Sequence, residues 1–192
     1  MIVELSRLRR QAGSRRELRF VLDGAQLAKR DAAWRFPEAP LFEGRLEHTG
    51  GGRYLLSGRL TGTAETDCAR CLAATRLPFD LEVEEIYLPQ HSVDELNRTD
   101  FGDDAGADGE LDQEAERALP HDGQYLDTDP GLEAVLWLAL PPVVLCSDDC
   151  RGLCPICGCN RNTDSCGCQP EPVGSFSALA ELGRLLAKTN DE

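Results

Sequence analysis

Nine cysteines fall into two groups, and their spacing limits what they can do. Cys68 and Cys71 form a pair within Thr66-Asp67-Cys68-Ala69-Arg70-Cys71-Leu72. Cys146, Cys150, Cys154, Cys157, Cys159, Cys166 and Cys168 crowd into a short stretch near the other end. Closely spaced thiolates either bind soft metals or exchange disulfides, and the redox compartment decides which. Glu4, Arg7, Arg9 and Arg10 interrupt any apolar run that could serve as an export signal. The apolar stretch from Ala134 to Leu145 is too short to span a bilayer and contains Pro141-Pro142. The expectation is a cytoplasmic chain with reduced thiols, for which metal ligation is the favoured chemistry.

Within the second group, Cys154-Pro155-Ile156-Cys157-Gly158 has the C-P-x-C-G form of a zinc knuckle. The proline pre-sets the turn, and the glycine can take positive φ where the backbone closes on a sulfur. Cys166 and Cys168 are the natural partners of Cys154 and Cys157. Cys146 and Cys150 then need two more ligands, which Cys68 and Cys71 would supply, the alternative being that this pair stays metal-free. The expectation is two structural zinc ions with Cys159 spare, although Cys159 could replace Cys166 or Cys168. Structural zinc contributes roughly 10–16 kcal/mol of apparent binding free energy in small peptides, so the C-terminal segment should need its metal to fold. Four thiolates leave no open coordination position, which argues against metal-assisted catalysis.

Other enzyme chemistry has little support. His48, His91 and His121 are scattered, lack partners at motif spacing, and read as solvated surface residues. No phosphate-cradling or dinucleotide-binding glycine motif is present, and Gly50-Gly51-Gly52 lacks the lysine and helix that phosphate binding needs. A dithiol redox protein using Cys68 and Cys71 is the enzyme alternative. Redox C-x-x-C pairs open a helix, however, whereas this pair sits in a hairpin.

The hairpin is read from periodicity. Tyr54, Leu56, Gly58, Leu60, Gly62, Ala64 and Thr66 share one parity, with polar residues on the other. After Cys71 the alternation resumes through Leu77, Phe79, Leu81, Val83 and Tyr87. Strands are also expected at 41–47, Glu17–Leu22 and Ala33–Phe36, with Gly50-Gly51-Gly52 as a turn. Asp129-Pro130 opens a buried helix over Gly131–Leu140 that Pro141-Pro142 ends. A short helix within Leu111–Leu119 and a last one over Ser177–Lys188 are expected. The fold class is α+β: an antiparallel meander, a partly closed barrel-like sheet, with a buried helix and a C-terminal zinc-knuckle segment ending in a helix. Its parts are a β domain (1–89), an acidic flexible linker (90–124), and a helix plus cysteine-rich segment packing on the β domain (125–192).

Charge separates these parts. The formal net charge is −14. Residues 1–35 hold nine Lys/Arg against four Asp/Glu, while residues 90–130 hold two against thirteen. So acidic a chain repels polyanions at long range, and only the N-terminal stretch could touch nucleic acid directly. The alternative is that its arginines simply coat a sheet. An independent nucleic-acid-binding zinc ribbon is disfavoured by the same acidity.

Taken together, these motifs resemble the bacterial YceD-like family. The resemblance rests on Cys68-Ala69-Arg70-Cys71-Leu72, on the helix leading into Leu138-Ala139-Leu140-Pro141, and on the block from Leu145-Cys146 to Cys157-Gly158. Gly13-Ser14-Arg15-Arg16-Glu17 adds to it, and Cys159 departs from it. The resemblance implies a non-enzymatic role in large-subunit ribosomal RNA accumulation. The physical reading is an adaptor that engages precursor RNA or an RNA-bound assembly protein, with no membrane or small-molecule substrate.

Overall fold

The computed structural model describes residues 1–99 and 118–168. The helix expected over Ser177–Lys188, and nearly all of that within Leu111–Leu119, fall outside those residues. The chain divides into two compact units: Met1–Asp67 with Ala74–Val144, and Cys68–Ala73 with Leu145–Glu192.

The first unit is mixed α+β. Strands β1 (Ile2–Glu4), β2 (Arg15–Val21), β3 (Leu41–Gly50), β4 (Arg53–Asp67), β5 (Ala74–Pro89), β6 (Leu119–His121) and β7 (Tyr125–Asp127) form two sheets. A 3-10 turn at Leu8–Arg10 and helices α1 (Gly24–Arg30), α2 (Gln90–Thr99) and α3 (Asp129–Ala139) complete the described elements. The larger sheet runs β2-β3-β4-β5-β6, and β1 pairs with β7 separately. β2 to β5 form the expected antiparallel meander, but β6 joins β5 in parallel, and the order is open, not a closed barrel.

The alternation in the sequence becomes the two faces of this sheet. Tyr54, Leu56, Leu60 and Ala64 of β4 are buried, as are Val83 and Tyr87 of β5. They meet Phe42 and Leu46 of β3, Leu18 of β2, and Leu132 and Leu136 of α3 in one core. Two glycines thin the sheet beneath Phe42. Gly44 pairs with Gly58, and a Cβ on Gly44 would lie 2.3 Å from the Ser57 carbonyl and 2.7 Å from the Phe42 ring. At the start of α3, a Cβ on Gly131 would meet Leu119 and the Tyr87 hydroxyl at 2.8 Å, so glycine sets how closely the helix approaches β5. Thr128, not Asp129, occupies the α3 N-cap; Asp129 lies in the first turn, where its charge suits the helix dipole. Glu133 of α3 is buried and pairs with Arg30 of α1.

Several expectations change. His48 and His121 are buried, not solvated. β3 extends past residue 47, so His48 shares the inward parity of Phe42 and Leu46. Its ring stacks on Tyr54 at 4.9 Å, with Nδ1 3.2 Å from the Gln11 carbonyl. His121 donates through Nε2 to the Gly52 carbonyl at 2.7 Å and accepts the Gly123 N–H at Nδ1, packing edge-on against Tyr54. Finally, Ala33–Phe36 is not a strand; Arg35 makes an isolated bridge to Glu65. Inside the stretch read as linker, Gln90–Thr99 is helical and Leu119–His121 is a strand. Among the described residues, no helix is long and apolar enough to cross a membrane.

Candidate metal centres

The second unit has two knuckles of one design. In Cys68-Ala69-Arg70-Cys71-Leu72 the Leu72 N–H donates to the Cys68 carbonyl at 3.0 Å, and in Cys154-Pro155-Ile156-Cys157-Gly158 the Gly158 N–H donates to Cys154 at 2.9 Å. Each turn closes on a residue of positive φ, +60° at Leu72 and +74° at Gly158. Glycine takes that conformation without a steric penalty; leucine does not. The amides inside each turn point at the first sulfur: the Arg70 N–H lies 3.4 Å from Cys68 Sγ.

The first centre gathers Cys68, Cys71, Cys146 and Cys150, whose sulfurs all lie within 4.8 Å of one another. Cys68 approaches Cys150 at 3.7 Å and Cys71 approaches Cys146 at 3.5 Å. A tetrahedral ion with metal–sulfur bonds near 2.3 Å separates its sulfurs by about 3.8 Å, so the cage has the right size. Cys68, Cys71 and Cys150 are buried, packed with Ala73, Leu145 and Leu153. Arg70 Nη1 donates to the Cys150 carbonyl at 3.0 Å, and the Arg70 carbonyl accepts the Leu153 N–H at 3.0 Å. Gly152 lies beneath that carbonyl with φ +70°, and a Cβ there would sit 2.9 Å from the oxygen.

The second centre gathers Cys154, Cys157, Cys159 and Cys166 within the same limit. Cys159 thus stands in the compact group where the sequence reading put Cys168. Cys168 remains adjacent, its thiol interacting with Cys157 and Cys166. Five thiols are therefore available for the four positions that a tetrahedral ion would offer. The turn is fastened by the Cys154 N–H to the Cys159 carbonyl at 2.8 Å, and by a bridge between Leu153 and Asn160.

The thiols do not ionise alike. Burial opposes ionisation of Cys68, but the amides of Arg70 and Cys71 outweigh it and hold the thiol at about 6. The amides of Cys157 and Ile156 hold Cys154 at about 6 in the same way. Cys146 is pushed up to about 12, chiefly because its thiol donates to Cys71 and Cys150; Cys159 is pushed up to about 12 by donating to Cys166 and Cys157. Each cluster therefore contains ready thiolates and thiols that share protons with them. A divalent cation would displace those protons, as metal ligation by thiols requires.

Asn162 went unnoticed in the sequence. Its side-chain nitrogen lies 3.3 Å from Cys150 Sγ and its oxygen accepts the Arg151 N–H at 2.8 Å. That contact is the main reason the Cys150 thiol is lowered. The only available signal was an asparagine-rich turn, Asn160-Arg161-Asn162, between two cysteines.

Fold and site define a mixed α+β protein whose second unit is organised around two clusters able to hold metal ions. The chain belongs to the family described as Large ribosomal RNA subunit accumulation protein YceD, whose model matches residues 56–183. No curated protein and no solved structure matches it. The matched stretch takes in both cysteine groups and leaves the N-terminal arginines outside.

Proposed function

We propose that this protein is a non-enzymatic, cytoplasmic factor in large-subunit ribosomal RNA accumulation, acting as a zinc-stabilised adaptor. Its partner is precursor RNA or an assembly protein bound to that RNA. Zinc is the metal of this reading, since an all-sulfur tetrahedral cage suits it as it does iron–sulfur centres, and a closed four-ligand cage serves structure. Cys68, Cys71, Cys146 and Cys150 hold one ion. Cys154, Cys157 and Cys166 hold the other, with Cys168 or Cys159 as fourth ligand. The observation that carries this reading is the coincidence of the family match with two closed sets of four thiols. A dithiol redox role is less well served, because Cys68 is fully buried and faces Cys150 out of reach of a substrate disulfide.

Deleting the gene should lower the ratio of large- to small-subunit ribosomal RNA. A version carrying Cys154→Ser and Cys157→Ser should fail to restore it. Normal ribosome profiles in the deletion strain would remove the functional assignment.

A further inference from the structure

Most arginines of the sheet are neutralised where they stand. Arg15 and Arg19 of β2 lie directly opposite Glu47 and Glu43 of β3 and pair with them at 3.0 Å. Arg59 grips both oxygens of Asp80 at 2.8 and 2.6 Å. Arg35 and Arg76 share Glu65. These residues do coat a sheet with ion pairs.

Four others do not. Arg7, Arg9, Arg10 and Arg16 are exposed, and none has a carboxylate partner among the described residues. Nor do they hang on a loose arm. Leu5 and Leu8 are buried in the core on either side of Arg7, and the Arg9 N–H donates to the Leu5 carbonyl at 3.0 Å. Further on, the Gly13 N–H donates to the His48 carbonyl at 2.7 Å and the Ser14 carbonyl accepts the His48 N–H at 3.0 Å. Of the four, Arg7 and Arg16 line a groove of about 680 Å³ with Ser6, Ser14, Arg15 and one carboxylate, Glu4, while Arg9 borders a neighbouring recess that also holds Asp94 and Asp122. Guanidinium forks and hydroxyl donors on a fixed frame are what phosphate oxygens require.

We infer that Arg7, Arg9, Arg10 and Arg16 form a phosphate-contacting face for RNA, separate in sequence from the cysteine clusters. The inference rests on the ribosomal RNA reading and names the partner's chemistry. The face lies outside residues 56–183, so the family match does not supply it. Charges separated by more than about 8 Å are largely screened at physiological salt, so attraction at this face acts at short range and distant acidic residues cancel little of it. Binding is therefore local and steeply salt-dependent.

The test titrates the full-length, zinc-loaded protein with a labelled single-stranded fragment of large-subunit ribosomal RNA at several salt concentrations. Replacing all four arginines with glutamine should lower the slope of log affinity against log salt by about 3, at about 0.7 per lost phosphate contact. Affinity at about 100 mM salt should fall more than tenfold. Arg→Lys at the same four positions should retain most of the slope, because lysine keeps the point charge. A matched variant with glutamine at Arg19, Arg35, Arg59 and Arg76 removes equal charge and should bind like wild type. Three results overturn the inference: no RNA binding by wild type, an unchanged slope in the first variant, or equal losses in both glutamine variants. If any of these occurs while the deletion strain still loses large-subunit RNA, the family role stands and only the arginine face falls.

Discussion

Arg70 Nη1 donates to the backbone carbonyl of Cys150 at 3.0 Å, across 80 residues of sequence. The same arginine's carbonyl accepts the Leu153 N–H, so one residue fastens the hairpin tip to the C-terminal cysteine segment on two atoms, while its amide serves Cys68 within the tip. Four thiolates around a divalent ion carry an excess of two negative charges, and Arg70 is the cation at hand. Arg70→Met should therefore lower zinc affinity at the first centre by about 10–100-fold, the range found when groups supporting metal ligands are removed. Competition with a chromogenic chelator would measure it. Release profiles identical to wild type would show that the clasp is dispensable.

Five thiols at the second centre predict redundancy. Cys159→Ser and Cys168→Ser should each retain two zinc ions per chain, because the remaining thiol of the two can fill the fourth position. The double variant should retain one ion. Elemental analysis of the purified proteins decides this, and loss of an ion in either single variant identifies that residue as the sole fourth ligand.

The two knuckles differ at the residue of positive φ. Leu72 is 64% exposed, so its side chain contributes little packing to offset its backbone strain. Leu72→Gly should stabilise the zinc-loaded protein by up to about 1 kcal/mol, the cost of a side chain in the left-handed region less glycine's extra freedom when unfolded. Gly158→Leu should destabilise it by about 1–2 kcal/mol. Chemical denaturation of both variants would show the opposite signs.

Burial raises the Glu85 carboxyl above its usual range. A folded pKa above the unfolded one means that relative stability is full below the unfolded value, about 4.3, and is lost as pH rises through the folded value. Glu85→Gln removes that loss. The variant should melt at a higher temperature than wild type at pH 7, and the advantage should shrink as pH approaches 4. An advantage that is constant with pH would indicate a packing effect instead.

The sheet was legible because strand parity is written directly in the residues: the alternation from Tyr54 to Thr66 became the buried face of β4. The C-P-x-C-G turn was legible for a similar reason, since proline and glycine announce a backbone shape. His48 and His121 were not, because burial of a polar ring depends on carbonyls at Gln11 and Gly52 that only the folded chain brings near. The parallel pairing of β6 escaped for want of local signal in three residues, Leu119-Pro120-His121. The cysteine pairing was half legible. Spacing groups neighbours well, but the contest among Cys159, Cys166 and Cys168 turns on side-chain directions that spacing does not carry.

The first centre also sets a timetable for synthesis. The meander β2 to β5 is continuous in sequence from Arg15 to Pro89, and it can assemble as soon as those residues leave the ribosome. Cys68 and Cys71 at its tip must then wait, since Cys146 lies 75 residues beyond Cys71. Closing a loop of that length costs about 4 kcal/mol of chain entropy, which metal ligation can more than offset once Cys146 and Cys150 arrive. Until then the tip carries an unfilled pair of thiols on an otherwise finished hairpin. Chains stalled before Cys146 should have Cys68 and Cys71 open to alkylation, and chains released past Cys150 in the presence of zinc should not.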